Sequence, residues 1–192
     1  MLRPALVTAV VLAALLSLAN CYGPWPPALR PAPPSASPTP SAVVSGATVS
    51  PAVAAPVRIP DGYRVRVARL GIDLPIAEGD VQRDIDLQKT PEGYAFHLPG
   101  TSIPGRGSNT YLYAHARTGM FLALWDARVG DDVTILGPDG AVLRYVVTEV
   151  RPKVPASDVS VAQPTSDERL TLQTSTGPSP EDPRFVVIAR PK

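Results

Sequence analysis

The chain has 192 residues, 24 of them proline, and a formal net charge of +1. That length suits one domain with appendages, and the near-neutral balance gives no reason to expect nucleic acid or acidic substrates as partners. The single cysteine, Cys21, excludes an internal disulfide framework and any zinc site built on several thiolates.

Arg3 supplies a positive start, and the apolar run from Ala5 to Ala19 is broken only by Thr8 and Ser17. The run is shorter than the roughly 20 residues a spanning helix needs, but it fits the apolar core of an export signal. It ends Leu18-Ala19-Asn20-Cys21, which is similar to a bacterial lipobox, although Asn20 departs from the small residue usual before the cysteine. On that resemblance Cys21 is lipidated and becomes the new N-terminus; an uncleaved signal anchor is the alternative. Either reading of residues 1–21 exports the protein and tethers it to the outer face of the bacterial cytoplasmic membrane.

Residues 22–57 are rich in Pro, Ala, Ser, Val and Thr, and Arg30 is the only charge before Arg58. A segment of this composition buries too little apolar surface to offset its ordering entropy, and its prolines favour extended polyproline II. It reads as a disordered, semi-rigid spacer.

From Arg58 to Lys192 the pattern is period-2 alternation broken by turn signals, the mark of short strands. Tyr63–Leu70 alternates basic and apolar residues. Asn109–His115 and Asp132–Leu136 are apolar enough for a barrel wall, and Asp139-Gly140 predicts a two-residue hairpin into Ala141–Val150. Arg169–Thr174 and Arg184–Arg190 are the last strands. Only Phe121–Arg128 and Ser157–Ala162 read as helical. So many strands in about 135 residues predict an all-β, closed or nearly closed barrel, which removes exposed edges.

Few residues can carry chemistry. His115 ends an apolar strand, where a side chain faces a cleft while its backbone is held in the sheet, as acid–base work requires. His97, before Leu98-Pro99-Gly100, reads as a loop residue packed over the barrel, without a catalytic role. Ser175 stands where the strand Leu170–Thr174 gives way to Thr176-Gly177-Pro178, and Arg184 opens the last strand after a loop holding Pro178, Pro180 and Pro183. Ser175 lacks a Gly-x-Ser-x-Gly context, and no serine is followed three residues later by lysine. No motif implies a metal, a phosphate loop or any cofactor.

The order and setting of these residues resemble the sortase family over about residues 60–190. The segment from Gly100 to Asn109 is similar to the family's Pro-Gly…Gly-Asn approach to the histidine strand. Phe121 through Gly130-Asp131-Asp132-Val133 resembles its short helix and Gly-Asp-x-Val strand entry. Thr171-Leu172-Gln173-Thr174-Ser175 resembles the nucleophile strand, which in the family ends Thr-Leu-x-Thr-Cys, and Arg184-Phe185-Val186-Val187 resembles the arginine strand. The resemblance implies a closed eight-stranded sortase-type barrel in residues 58–192 with one or two short helices. It implies a transpeptidase or peptide hydrolase that takes sorting-signal-bearing surface proteins or peptides. It places Ser175 at the nucleophile position, His115 as general acid, Arg184 beside the oxyanion, and Leu172 and Thr174 in substrate binding. The departure is the serine. A thiol is a few per cent ionised at neutral pH, whereas a hydroxyl needs a base to attack. His115 would then need an orienting carboxylate or carbonyl, for which Asp73, Asp126 and Asp158 are nominal candidates. A catalytically silent peptide-binding protein, or an active sortase whose cysteine was changed to serine to trap substrate, stand as alternatives.

Overall fold

The computed structural model describes residues 57–192; the expected signal, Cys21 and nearly all of the expected spacer lie outside them. Eight strands close into a barrel: β1 (Arg64–Val67), β2 (Ile72–Glu78), β3 (Ala95–His97), β4 (Asn109–Tyr113), β5 (Asp132–Leu136), β6 (Val142–Val154), β7 (Arg169–Ser175) and β8 (Arg184–Pro191). They are arranged in the order β1-β2-β3-β4-β7-β8-β6-β5, and β5 pairs with β1 to close the ring. The pairs β2–β3 and β4–β7 are parallel and the others antiparallel. The all-β, closed, eight-stranded architecture is as the sequence implied.

Alternation sorts the side chains. Val65, Val67, Ile72, Leu74, Ile76, Val133, Ile135, Leu172 and Val187 fill the barrel together with Phe121 and Leu124. The outer faces of β4 and β8 are covered as well, by a second cluster of Tyr111, Val154, Val161, Val186 and Ile188. Burial on both faces explains why β8 reads as a nearly continuous apolar run, Phe185–Ala189.

Several local expectations are corrected. The stretch Tyr63–Leu70 is not one strand: β1 ends at Val67, and a 3-10 turn over Ala68–Leu70 closes on Gly71, whose φ of 65° is left-handed. The alternation pattern alone does not single out strands β2 and β3. His97 lies in β3, fully buried, rather than in a loop. Its Nδ1 meets Glu78 Oε2 at 2.9 Å, and the same carboxylate oxygen accepts from the Ile59 N–H at 2.8 Å. The β5–β6 hairpin has a three-residue loop. Gly137 N–H donates to the Ala141 carbonyl, which leaves Pro138, Asp139 and Gly140 outside the ladder, with Gly140 at φ 82°. The two segments read as helical form 3-10 turns, Phe121–Asp126 and Val159–Ala162.

Candidate active site

The parallel ladder between β4 and β7 builds the site. Asn109 pairs with Arg169, Tyr111 with Thr171, and Tyr113 with Gln173. The Ala114 N–H continues the pairing by donating to the Gln173 carbonyl at 3.2 Å. His115 and Ser175 each lie two residues beyond the Tyr113–Gln173 pair, so the pleat brings them level and onto one face. Ser175 is in turn the antiparallel partner of Arg184 on β8. Histidine, serine and arginine therefore stand in a row across three neighbouring strands, on the outer face. All three are half-buried and line one cavity of about 820 Å³.

The walls are mixed. Tyr111, Tyr113 and Gln173 form the floor, and the exposed side chains of Ile85, Trp125 and Val159 stand at the margin. The Tyr111 hydroxyl donates to Gln173 Oε1 at 3.3 Å, and burial raises its pKa far above the ordinary phenol value despite nearby Arg184, so it stays protonated. Residues 176–183, between β7 and β8, brace themselves internally. Thr176 donates through both N–H and Oγ1 to the Pro183 carbonyl, and Asp182 Oδ2 accepts the Ser179 N–H at 2.7 Å. Arg184 is aimed by a 2.7 Å bond from Nη2 to the Pro180 carbonyl.

His115 has an orienting partner, and it is none of the three aspartates considered from sequence. The imidazole Nε2 lies 2.9 Å from the backbone carbonyl oxygen of Thr90, on the connection from β2 to β3. A carbonyl only accepts, so Nε2 carries the proton. Asp73 pairs with Arg64 and Arg66 on the barrel wall, Asp126 presents its backbone carbonyl to Arg69, and Asp158 caps the Val159–Ala162 turn through the Ser160 N–H.

Leu172 and Thr174 are placed otherwise than expected. Both are fully buried, with Leu172 in the barrel core and Thr174 Oγ1 donating to the Ala114 carbonyl at 2.9 Å. Alternation along β7 turns them inward whenever Ser175 faces out. Gln173, two residues before Ser175, is the β7 side chain in the cavity, and the same parity rule applied to the sequence singles it out. Asn109 is the other residue missed. It is buried, and its side chain spans four partners: Nδ2 donates to the carbonyls of Val161 and Gln163 at 3.0 and 3.1 Å, while Oδ1 accepts from Thr171 Oγ1 at 2.8 Å and Arg169 Nε at 3.1 Å. It ties the β6–β7 connection, which supplies Val159, Val161 and Ala162 to the cavity, onto β4 and β7.

The Sortase domain model matches residues 65–192. The chain belongs to the sortase family. Among solved structures, sortase A of Listeria monocytogenes is similar at 21% identity and a TM-score of 0.59, over 69% of this chain and 87% of that one. A lid mutant of sortase A from Corynebacterium diphtheriae gives 24% and 0.59, over 74% of each chain. A Clostridium perfringens sortase D5 transpeptidase gives 22% and 0.56, over 69% of this chain and 79% of that one. At these identities the likeness concerns the fold. No curated protein matches the chain in sequence. Sortases are cell-surface enzymes that act on substrates bearing sorting signals, so the general kind of partner follows from membership.

Proposed function

We propose that this sortase cleaves sorting-signal peptides at the cell surface and passes the acyl group to an amine, with Ser175 as nucleophile. The observation that carries the reading is the row His115–Ser175–Arg184 at the end of the β4–β7–β8 ladder, facing one cavity. With Nε2 committed to the Thr90 carbonyl, Nδ1 is the ring atom free to accept a proton. Ser175 Oγ attacks the peptide carbonyl carbon as its proton passes to His115 Nδ1. The carbonyl oxygen becomes an oxyanion beside the Arg184 guanidinium, which is permanently charged and directional. Collapse breaks the C–N bond, His115 returns the proton to the departing amine, and an ester on Ser175 remains. The acceptor amine attacks that ester and yields its proton to His115. Serine leaves and is reprotonated, and a new amide is formed. In this scheme His115 begins as base, as a hydroxyl nucleophile requires.

The tether belongs to the same proposal: residues 1–21 deliver the domain to the outer face of the membrane, Cys21 carries the lipid, and residues 22–57 hold the barrel off the bilayer.

A catalytically silent peptide-binding protein is the second reading, favoured by the hydroxyl at a position where a thiol would ionise unaided. One assay separates the two: the native chain, Ser175→Ala, His115→Ala and Ser175→Cys are each incubated with a panel of sorting-signal peptides and an amine acceptor, and products are read by mass. The expected result is turnover by the native chain, abolished by both alanine variants. Turnover should increase in Ser175→Cys, because positive charge from Arg184 and His115 would lower the cysteine pKa. Peptide binding without turnover by the native chain, weakened by removing Arg184, would establish the binding protein instead.

A further inference from the structure

The β2–β3 connection, residues 79–94, carries an ion-pair and hydrogen-bond cluster that the reaction scheme does not use. Asp84 is buried at its centre. Arg83 approaches it with Nε at 2.5 Å from Oδ1 and Nη2 at 2.8 Å from Oδ2, while the Tyr113 hydroxyl donates to Oδ2 at 2.5 Å and the Asp80 N–H at 3.0 Å. The Arg83 guanidinium lies over the Phe96 ring, 4.9 Å from its centroid. Burial pushes the Asp84 carboxyl up, but Arg83 and Tyr113 outweigh it, so the group sits below the usual carboxylate range and is ionised. Burial, and then the Asp84 carboxylate, raise Tyr113 far above the ordinary phenol range, so it remains the donor.

Two features lead from this cluster to His115. Thr90 Oγ1 donates to the Asp84 carbonyl at 3.3 Å, and the following Pro91 restricts Thr90 to extended backbone, which fixes the direction of its carbonyl. Tyr113 is on β4, two residues before His115 and on the same face. Gly79 begins the connection with its N–H on the His97 carbonyl at 2.8 Å, packed so closely under the Tyr113 hydroxyl that a Cβ would collide with it. The connection is thus fastened at Gly79, Asp84 and Thr90 to strands whose positions the barrel sets.

We propose that Asp84, through Tyr113, Arg83 and the Thr90 carbonyl, is a positioning residue that holds His115 in the Nε2–H tautomer and so directs Nδ1 to proton transfer. The inference deepens the reading of Ser175 and His115 given above and rests on it. A serine site needs this device more than a cysteine site does, because the imidazole must present a lone pair rather than a proton at the start of the reaction. The clamp is a backbone carbonyl whose residue is tied through its own hydroxyl to the Asp84 main-chain carbonyl, while the Asp84 carboxylate anchors that turn to Tyr113 and Arg83.

The test is ¹⁵N NMR of the full-length protein with labelled histidine, at a pH where the imidazoles are neutral. His97 and His115 are the only two histidines, and a His115→Gln variant assigns the signals. The native protein should show His115 with a protonated Nε2 and a bare Nδ1. Tyr113→Phe, which keeps the ring and removes one bond to Asp84, and Asp84→Asn should each give a tautomer mixture. In a turning-over protein both should lower kcat by at least about tenfold, part of the roughly 10²–10⁴-fold that general-base catalysis contributes, with KM changed less than about threefold. Asp84→Glu, which keeps the charge, should recover more of the native tautomer than Asp84→Asn. A native His115 protonated on Nδ1 would overturn the proposal, as would a single Nε2–H tautomer in both folded Tyr113→Phe and Asp84→Asn. Because the tautomer is read without substrate, a protein that proves catalytically silent refutes the functional reading and leaves the positioning result to stand or fall separately.

Discussion

Truncating Asn109 to alanine removes four hydrogen bonds at once, and the structure says which of them are recovered. Net contributions of about 1 kcal/mol per bond give an upper figure near 4 kcal/mol. The Val161 carbonyl keeps a second donor, Arg169 Nη2 at 2.7 Å, and Gln163 belongs to an exposed residue that water can reach. The Thr171 hydroxyl is fully buried and loses its acceptor. The expected destabilisation is therefore about 2–4 kcal/mol. For a domain of this size, at about 3–4 °C per kcal/mol, the Tm falls by roughly 6–16 °C. Thr171→Val removes one bond and should lower stability by about 1 kcal/mol. The double variant should fall short of the sum by at least about 0.5 kcal/mol, since the Thr171–Asn109 bond is shared. Chemical denaturation of the four proteins measures this cycle. Because Asn109 holds the Val159–Ala162 turn against the cavity, amide exchange over 159–163 should accelerate and KM for a bound peptide should rise more than kcat falls. A Tm within about 2 °C of the native value, or unchanged exchange over 159–163, would refute the claim that Asn109 fastens this wall.

Two further perturbations probe the frame around the site. Asp131 accepts from Arg69 and, at 2.8 Å, from the Arg128 N–H, tying the turn after β1 to the approach to β5; the Arg69 guanidinium holds its carboxyl below the usual range. Stability from this pair is fully present above the unfolded carboxylate pKa and is lost as pH falls through the depressed folded value. Asp131→Asn should thus lower the Tm at neutral pH, with the gap from native closing toward acid; a gap independent of pH would contradict the assignment. Gly79→Ala drives a Cβ into the Tyr113 hydroxyl and to 2.6 Å from the His97 carbonyl. It should destabilise by about 1–3 kcal/mol on overpacking grounds, and a neutral effect by thermal melt would show that the start of the β2–β3 connection yields easily.

The closed barrel was legible because its strands follow period-2 burial closely: in β5, Val133 and Ile135 are buried between more exposed neighbours. What was missed has local causes. β3 is three residues long and fully buried, too short to show any period, and it contains a histidine in a setting rich in proline and glycine. His97 is accommodated because Glu78 meets Nδ1 while Thr101 Oγ1 and the Ser102 carbonyl lie within 3.1 Å of Nε2. Those partners come from β2 and from the loop behind β3, and no spacing in the sequence pairs them. β2 contains Pro75 at a strand position, which weakens its reading.

The site divides along the same line. Ser175, His115 and Arg184 stand out in the sequence because their order and setting resemble the sortase family; their places at strand ends alone fit ordinary structural roles equally well. The direction of each side chain required one more step, the parity of the pleat, which assigns Gln173 to the cavity and turns Leu172 and Thr174 inward. The partner of His115 was beyond any such reading. It is a main-chain carbonyl, carried by every residue, and its position depends on how residues 79–94 fold over β4. Side-chain chemistry pointed to carboxylates, yet the Asp73 carboxylate pairs with arginines on the barrel wall, that of Asp158 accepts from the Ser160 N–H, and Asp126 meets Arg69 through its main chain. A neutral acceptor has a consequence of its own. It fixes the tautomer as a carboxylate would, but offers less stabilisation to the imidazolium that forms when Ser175 gives up its proton. The same cavity is lined by charges of both signs, Arg117 and Arg184 with Asp84 and Asp158, and Arg117 is itself paired with Glu92. A neutral acceptor therefore fixes the direction of the ring without adding a countercharge, and comparing turnover of the native chain with that of Ser175→Cys measures what this means for the proposed hydroxyl nucleophile.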